Sequence, residues 1–460
     1  MMANTGFIEK IRFLFLLYLR ELAKLQLLKG RSTVIGITGS AGKTSMRNAV
    51  AAILKDSFRV KVSSKANSES GIPLNILGLT PKDYSFFDWV RLALLAPLKL
   101  LTNWEAYDFY VVEMGIDSPH PPKNMEYLLT IVKPTIAVFL NTLPVHSQYF
   151  DALVPKGIKD PRQRAQRIAD HIAKEKGKLI RSLPKSGTAI LNLDDRRVAA
   201  FAEQTEARVL SFATHTPADL TARDVKVSLS GFSVKVQEGS QTQELNLPLL
   251  LDAHYAQTLV GALAVGRACG LSLNYSIRSL VKNFRLPPGR MTVFSGIKGT
   301  TILDSSYNAS TATMLSALDL LKKVAPGRKV AVLGDMRELG EISRVEHEKV
   351  VEAAARIADL IITVGPLMRR FAVPKLHSLG FPRRNLASFV NTHAAAKALR
   401  VREMVAKGDT ILVKGSQNTI FLEIVVQKLL RDRRDEKRLC RQTPFWDKKR
   451  EELRQSREVD

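Results

Sequence analysis

The segment that most constrains this chain is Gly36–Ser45, reading GITGSAGKTS, placed directly behind the apolar run Thr33–Thr38. A short buried strand, a glycine turn and then a helix-forming stretch make the strand–loop–helix of a nucleotide-binding α/β domain. Glycines let successive backbone N–H groups wrap a polyphosphate, which side chains with a Cβ would hinder. Gly39, Ser40, Ala41, Gly42, Lys43, Thr44 and Ser45 are therefore the expected phosphate cradle. Lys43 would reach the outer phosphates and the Thr44 hydroxyl would meet Mg²⁺. The spacing is not the strict form with glycine five places before Gly42, because Ile37 stands there. The expected ligand is ATP or GTP.

Strand-like runs follow at Phe109–Glu113, Ile136–Leu140 and Thr188–Asn192. Short alternating segments from Arg208 to Leu250 suggest an antiparallel insertion. The Pro287–Arg290 stretch reads as a hinge. A second α/β unit follows, with strands expected near Thr300–Asp304, Val330–Leu333, Leu360–Val364 and Thr410–Lys414. The expected fold class is α/β: a central P-loop ATPase domain with an antiparallel β insertion, plus a C-terminal Rossmann-like domain. The expected divisions are an amphipathic helical segment at 1–31, the ATP-binding domain at 32–290, the C-terminal domain at 291–430, and a solvated charged tail at 431–460.

With 69 Lys and Arg against 44 Asp and Glu, the formal charge is 69 − 44 = +25 over 460 residues. That favours anionic partners without choosing among nucleotide, nucleic acid and acidic lipid. The two cysteines exclude a disulfide framework and a zinc cluster. With no secretory signal, a reducing cytoplasm is expected. Phe7–Leu28 and Phe86–Leu101 are apolar, yet basic residues interrupt both, and Pro97 is expected to break the second. The longest uncharged run of the first, Phe13–Leu19, falls far short of the ~20 residues that span a bilayer. Both segments read as helices packed on the protein or, alternatively, as a peripheral contact with the inner face of an anionic membrane.

Several further motifs occur in order: Asn67–Pro73, Glu113-Met114-Gly115, Asn192–Asp195, Asp304–Ala309, Gly334–Gly340 and Val413–Ser416. With the loop variant, this set resembles the Mur ligase family over residues 32 to 430, and within it the dipeptide-adding branch. The resemblance implies ATP-driven amide formation through an acyl phosphate. It implies a UDP-linked or lipid-linked muropeptide and D-alanyl-D-alanine as partners, in peptidoglycan synthesis, with no nucleic acid. It implies Mg²⁺ on Thr44, Glu113 and His146. It implies catalytic roles for Lys43, His146 and Lys176, the last being a lysine that is often carbamylated in the family. Arg290, Asp304 and Asn308 would hold nucleotide, Tyr255 would stack on the base, and Asn67, Lys414 and Ser416 would face substrate. The active site is expected between the last two domains.

Each residue also has a plainer reading. His146 could be a loop histidine, Glu113 a solvated strand end, Lys176 part of a solvated helix face, and Arg290 a hinge residue. The sequence departs from the family pattern in three places. About 35 residues precede Gly36, so the usual UDP-gripping domain is not seen there. Tyr255 stands where asparagine is usual, and Gln417-Asn418 follows Gly415-Ser416 where Arg-Ser is common, with Ser305 in place of a second aspartate. Separately, Lys178 stands where glutamate is usual, which adds positive charge beside Lys176. Two alternatives stay open. One is a folylpolyglutamate synthase-like ligase with another carboxylate substrate. The other is a non-catalytic nucleotide- or nucleic-acid-binding P-loop protein.

Overall fold

The computed structural model describes residues 2–455 apart from 31, 65, 144–147, 156, 159, 338, 340, 341, 398–403 and 417–419. The chain divides into two units. The first comprises Met1–Val225, Val234–Leu245 and His254–Phe284; the second comprises Lys226–Ser233, Asn246–Ala253 and Arg285–Asp460.

The first unit is organised by β1 (Thr33–Thr38), whose five residues from Val34 onward are all buried. A run apolar on both faces suits a strand covered by helices on both sides. β1 pairs in parallel with β3 (Phe109–Glu113) and with β4 (Ile136–Phe139). The order of this nine-stranded sheet is β2-β3-β1-β4-β5-β6-β7-β8-β9. Here β2 is Val60–Val62, β5 Thr188–Asn192, β6 Arg208–Ala213, β7 Leu220–Ser228, β8 Gly231–Glu238 and β9 Gln241–Leu247. The pairing is parallel from β2 to β7. Two-residue connections join β7 to β8 and β8 to β9, a length that only antiparallel neighbours allow.

Two helices lie outside the nucleotide-binding pattern. α1 (Met2–Leu28) and α4 (Phe86–Thr102) pack beside α3 (Gly71–Leu77). Leu19, Leu74, Leu77, Leu79, Leu92 and Ala96 form the buried core between them. Pro97 does not break α4, contrary to the sequence expectation. A proline removes the N–H that would bond to the carbonyl four residues back, here Ala93. The Tyr18 hydroxyl from α1 donates to that carbonyl at 2.9 Å. The helix therefore continues without an orphaned acceptor.

The second unit holds a six-stranded sheet of order β10-β11-β15-β12-β13-β14. Its strands are β10 (Thr292–Ser295), β11 (Thr301–Ser305), β12 (Lys329–Gly334), β13 (Leu360–Val364), β14 (Leu386–Phe389) and β15 (Thr410–Lys414). β10 is antiparallel to β11, and the other pairs are parallel. Within the segment expected as a solvated helix or tail, residues 439–441 are buried in this unit, while most of residues 442–452 are exposed. Leu439, Cys440 and Arg441 are buried, and Arg441 Nη1 donates to Glu423 Oε2 at 2.8 Å. Its guanidinium also lies over the rings of Tyr307, Phe421 and Trp446. Charge density alone does not reveal such burial, because a guanidinium can be buried once its donors are met and rings cover it.

Candidate active site

β1 ends at Thr38 and α2 (Lys43–Leu54) begins five residues later. Between them, Gly42 adopts φ +83°, which favours glycine. A Cβ on Gly39 would come within 2.8 Å of Leu140 Cβ, so the loop there admits only a bare backbone. The end of β4 clasps the loop. The Ser40 N–H donates to the Asn141 carbonyl at 3.0 Å, and the Ala41 N–H donates to Asn141 Oδ1 at 2.9 Å. The Asn192–Asp195 turn fixes the clasp in turn. Asn192 Nδ2 donates to the Leu140 carbonyl at 2.7 Å, and Asp195 Oδ2 accepts from the Thr142 N–H at 2.7 Å. Ser45 Oγ donates to the Tyr255 hydroxyl at 3.4 Å, so Tyr255 stands over the first turn of α2.

Thr44 Oγ1 donates to Glu113 Oε2 at 3.1 Å. Glu113 is buried at the end of β3, beside β1. Its Oε1 has no aligned hydrogen bond, although Arg47 Nη1 lies 2.9 Å away as an ion pair. A hydroxyl and a carboxylate set at the mouth of a phosphate loop form a hard-oxygen donor pair of the kind Mg²⁺ takes. Among the described residues no three acidic, histidine or cysteine side chains converge on a metal site. His146, expected as a metal ligand and catalytic group, lies outside the described residues.

Lys43 Nζ donates to the Gly39 carbonyl at 2.8 Å, drawing the loop closed. Lys43 lines a hollow with Ser40, Asn67, Asp117, Phe150 and Lys176. Burial lowers the Lys43 ammonium below its ordinary range, while Glu113 and Asp117 oppose the shift. Lys176 ends the helix Pro161–Lys176 and is almost fully buried. Burial, with the Lys43 charge nearby, pushes its amine down to about 7; Asp117 and Glu175 oppose this. Lys176 is thus placed in the hollow and not on a solvated face. The charge of Lys178, expected to add to the site, is balanced instead: its Nζ lies 2.9 Å from Glu175 and 3.1 Å from Glu126.

The second unit gathers its own expected residues around β11 and β15. Lys414 Nζ donates to Ser305 Oγ at 3.1 Å and to the Asn308 carbonyl at 2.9 Å. Burial, reinforced by Arg290 and opposed by Asp304, lowers its amine to about 8. Ser416 Oγ donates to Asn308 Oδ1 at 3.4 Å. Asp304 is wholly buried; its Oδ1 accepts from the Ser306 N–H, and its Oδ2 has no hydrogen-bond partner. Burial raises its carboxyl pKa, against Ser306, Arg441 and Lys414. The Arg290 guanidinium lies 5.0 Å from the Tyr307 ring centre, and its Nε has no partner. Asp335 is structural: its carboxylate accepts from the N–H groups of Leu367 and Met368.

Three residues of the candidate site escaped the sequence reasoning: Asn141 in the clasp, Arg47 on Glu113, and Asp117, which lines the hollow with both lysines. Asp117 carried a faint signal, lying four residues beyond Glu113 on the same strand exit.

The Mur ligase middle-domain model matches residues 37–154 and 167–265, and the Mur ligase glutamate ligase domain model matches residues 289–417. The UDP-N-acetylmuramoyl-tripeptide–D-alanyl-D-alanine ligase of Mycobacterium leprae (strain TN) is 30% identical over 425 residues, covering 85% of this chain and 72% of that protein. The protein of the same name from Escherichia coli (strain K12) is 28% identical over 401 residues, covering 85% of this chain and 76% of that protein. A crystal structure of MurF from Acinetobacter baumannii superposes with a TM-score of 0.68 at 22% identity, covering 90% of this chain and 80% of that one.

Proposed function

The chain belongs to the Mur ligase family, and from that footing we propose that it is an ATP-dependent, ADP-forming ligase adding D-alanyl-D-alanine to UDP-N-acetylmuramoyl-tripeptide in peptidoglycan precursor synthesis. The observation that carries the reading is the Thr44–Glu113 pair at 3.1 Å beside the Gly39–Lys43 loop. Such a site suits a reaction that develops negative charge on phosphate and needs no covalent nucleophile.

In this reading a carboxylate oxygen of the tripeptide attacks the γ-phosphorus and ADP leaves. The D-alanyl-D-alanine amine then attacks the acyl carbon and phosphate leaves. The loop N–H groups and Lys43 would hold the β- and γ-phosphates through the first step. Mg²⁺ held by Thr44 and Glu113, with His146 as the family pattern implies, would neutralise phosphate charge. Lys176, lowered to about 7, is free amine in substantial part near neutrality, the form that can take up CO₂ and become a carbamate anion. Asn67 would meet the muropeptide, and Tyr255 would border the base. Arg290, Asp304 and Asn308 would hold nucleotide, with Lys414 and Ser416 toward the dipeptide. The finer proposal is that the ligase works in the cytoplasm at the inner membrane face, where a lipid-linked acceptor is also available.

The test is ADP release by the purified chain with Mg-ATP, UDP-N-acetylmuramoyl-tripeptide and D-alanyl-D-alanine, leaving out each component in turn. Release that needs both acceptor and dipeptide is the expected result. Nucleotide binding without such release would overturn the substrate assignment.

A further inference from the structure

α1 and α4 bury one side against α3 and leave the other apolar. On α1, Ile11, Leu14, Tyr18, Leu25 and Leu28 are exposed, at the three-, four- and seven-residue spacing of a single helix face. On α4, Phe86, Phe87, Val90, Leu94, Leu98 and Leu101 are exposed in the same way, with Phe87 at 81% and Leu94 at 72%. The two stripes adjoin. Tyr18 of the first stripe bonds to Ala93, next to Leu94 of the second. Farther along, Lys29 Nζ lies 4.3 Å from the ring centre of exposed Trp104 and donates to the Leu100 carbonyl. A contiguous apolar face of this extent is uncommon on a soluble chain and marks a docking surface.

The charges around it select the occupant. Residues 10–29 and 82–104 hold eight Lys or Arg and three Asp or Glu. Asp88 is buried against Arg91 at 2.6 Å and Glu21 is paired with Arg20 and Lys24, which leaves Lys10, Arg12, Lys29, Lys82 and Lys99 against Asp83. The face is therefore an apolar strip with a cationic margin and aromatic side chains at one end, Phe86, Phe87 and Tyr84. A second copy would bring a like-charged margin against it. A bilayer with anionic headgroups meets both the apolar strip and the cations. No helix among the described residues is long and apolar enough to cross a membrane.

We propose that the paired α1–α4 face lies in the plane of an anionic bilayer surface and holds the protein there. The proposal gives the membrane side of the reading above its surface. It rests on these helices alone, and ligation of a soluble acceptor is measured separately, so either failure shows by itself.

The test is co-sedimentation of the full chain with vesicles of phosphatidylglycerol and phosphatidylcholine, or of phosphatidylcholine alone. The comparison protein carries Phe86→Ser, Phe87→Ser and Leu94→Ser together, all at exposed positions. The chain should partition at least about tenfold better onto the anionic vesicles, and the triple variant should lose at least about tenfold while keeping its thermal unfolding midpoint and soluble-acceptor activity. Three results would overturn the proposal. One is no uptake by anionic vesicles. Another is undiminished uptake by the triple variant, which would assign binding to bulk positive charge. The third is a solution dimer that the variant abolishes without any vesicle uptake, which would make a second copy the occupant.

Discussion

The Thr44 hydroxyl donates to Glu113 Oε2 at 3.1 Å, while the other carboxylate oxygen lies 2.9 Å from Arg47 Nη1. One carboxylate at the end of β3 thus joins two side chains three residues apart on α2, the Thr44 hydroxyl and the buried Arg47 guanidinium. Glu113→Gln keeps the shape and removes the charge. Turnover should fall by about 10²-fold or more, and the Mg²⁺ concentration for half-maximal activity should rise. Thr44→Ser keeps the hydroxyl and should retain most activity. A Mg²⁺ titration of ADP release on both variants checks this; equal Mg²⁺ dependence in wild type and Glu113→Gln would remove Glu113 from the metal site.

Lys176 gives a pH dependence. Its amine is lowered to about 7 from the ordinary 10.5, so between those values the unfolded chain holds a proton that the native one has lost. Stability from this group therefore rises with pH across that window. The free amine, needed to take up CO₂, dominates above about pH 7. With ¹³C-bicarbonate the protein should show a carbamate carbon resonance by NMR at pH 8. The resonance should fade below pH 7 and be absent in Lys176→Ala. A signal that survives in Lys176→Ala would assign the carbamate elsewhere.

Tyr18 supplies the donor that Pro97 denies to Ala93. Tyr18→Phe leaves that carbonyl short of a partner, at a cost of about 1 kcal/mol. Chemical denaturation should register this as a lower midpoint with an unchanged slope. In the background Pro97→Ala, where a backbone N–H is restored, the same substitution should cost less.

Arg441 and Glu423 form a buried ion pair at 2.8 Å, and Arg441 also donates to the Ser306 and Tyr307 carbonyls. Arg441→Met would leave the buried Glu423 carboxylate with only the more distant Arg450, at 3.4 Å, at a cost of about 3 kcal/mol. Urea unfolding should show the loss, and the double variant Arg441→Met, Glu423→Gln should recover part of it. A loss below about 1 kcal/mol would mean that the C-terminal segment does not fasten the Asp304–Asn308 loop.

Much of this was legible because the strongest signals are local. The strand Thr33–Thr38, the glycine loop and Lys43-Thr44 are one continuous stretch, and parallel core strands such as Leu360–Val364 are unbroken apolar runs. The three-residue strand Val60–Val62 and the short strands Thr292–Ser295 and Leu386–Phe389 escaped detection. They are too short for periodicity to speak. Pro97 misled because its compensation comes from Tyr18, which the local sequence around the proline does not contain. Asn141, Arg47 and Asp117 acquire their roles from which strand ends adjoin, and Arg441 from rings and carbonyls supplied by other segments of its own unit.

The acyl-phosphate route is tested most directly with acceptor tripeptide carrying ¹⁸O in both oxygens of the reacting carboxylate. Attack of that carboxylate on the γ-phosphate, followed by amine displacement, predicts one ¹⁸O in each phosphate released and none in ADP. Unlabelled phosphate alongside amide product would contradict the account.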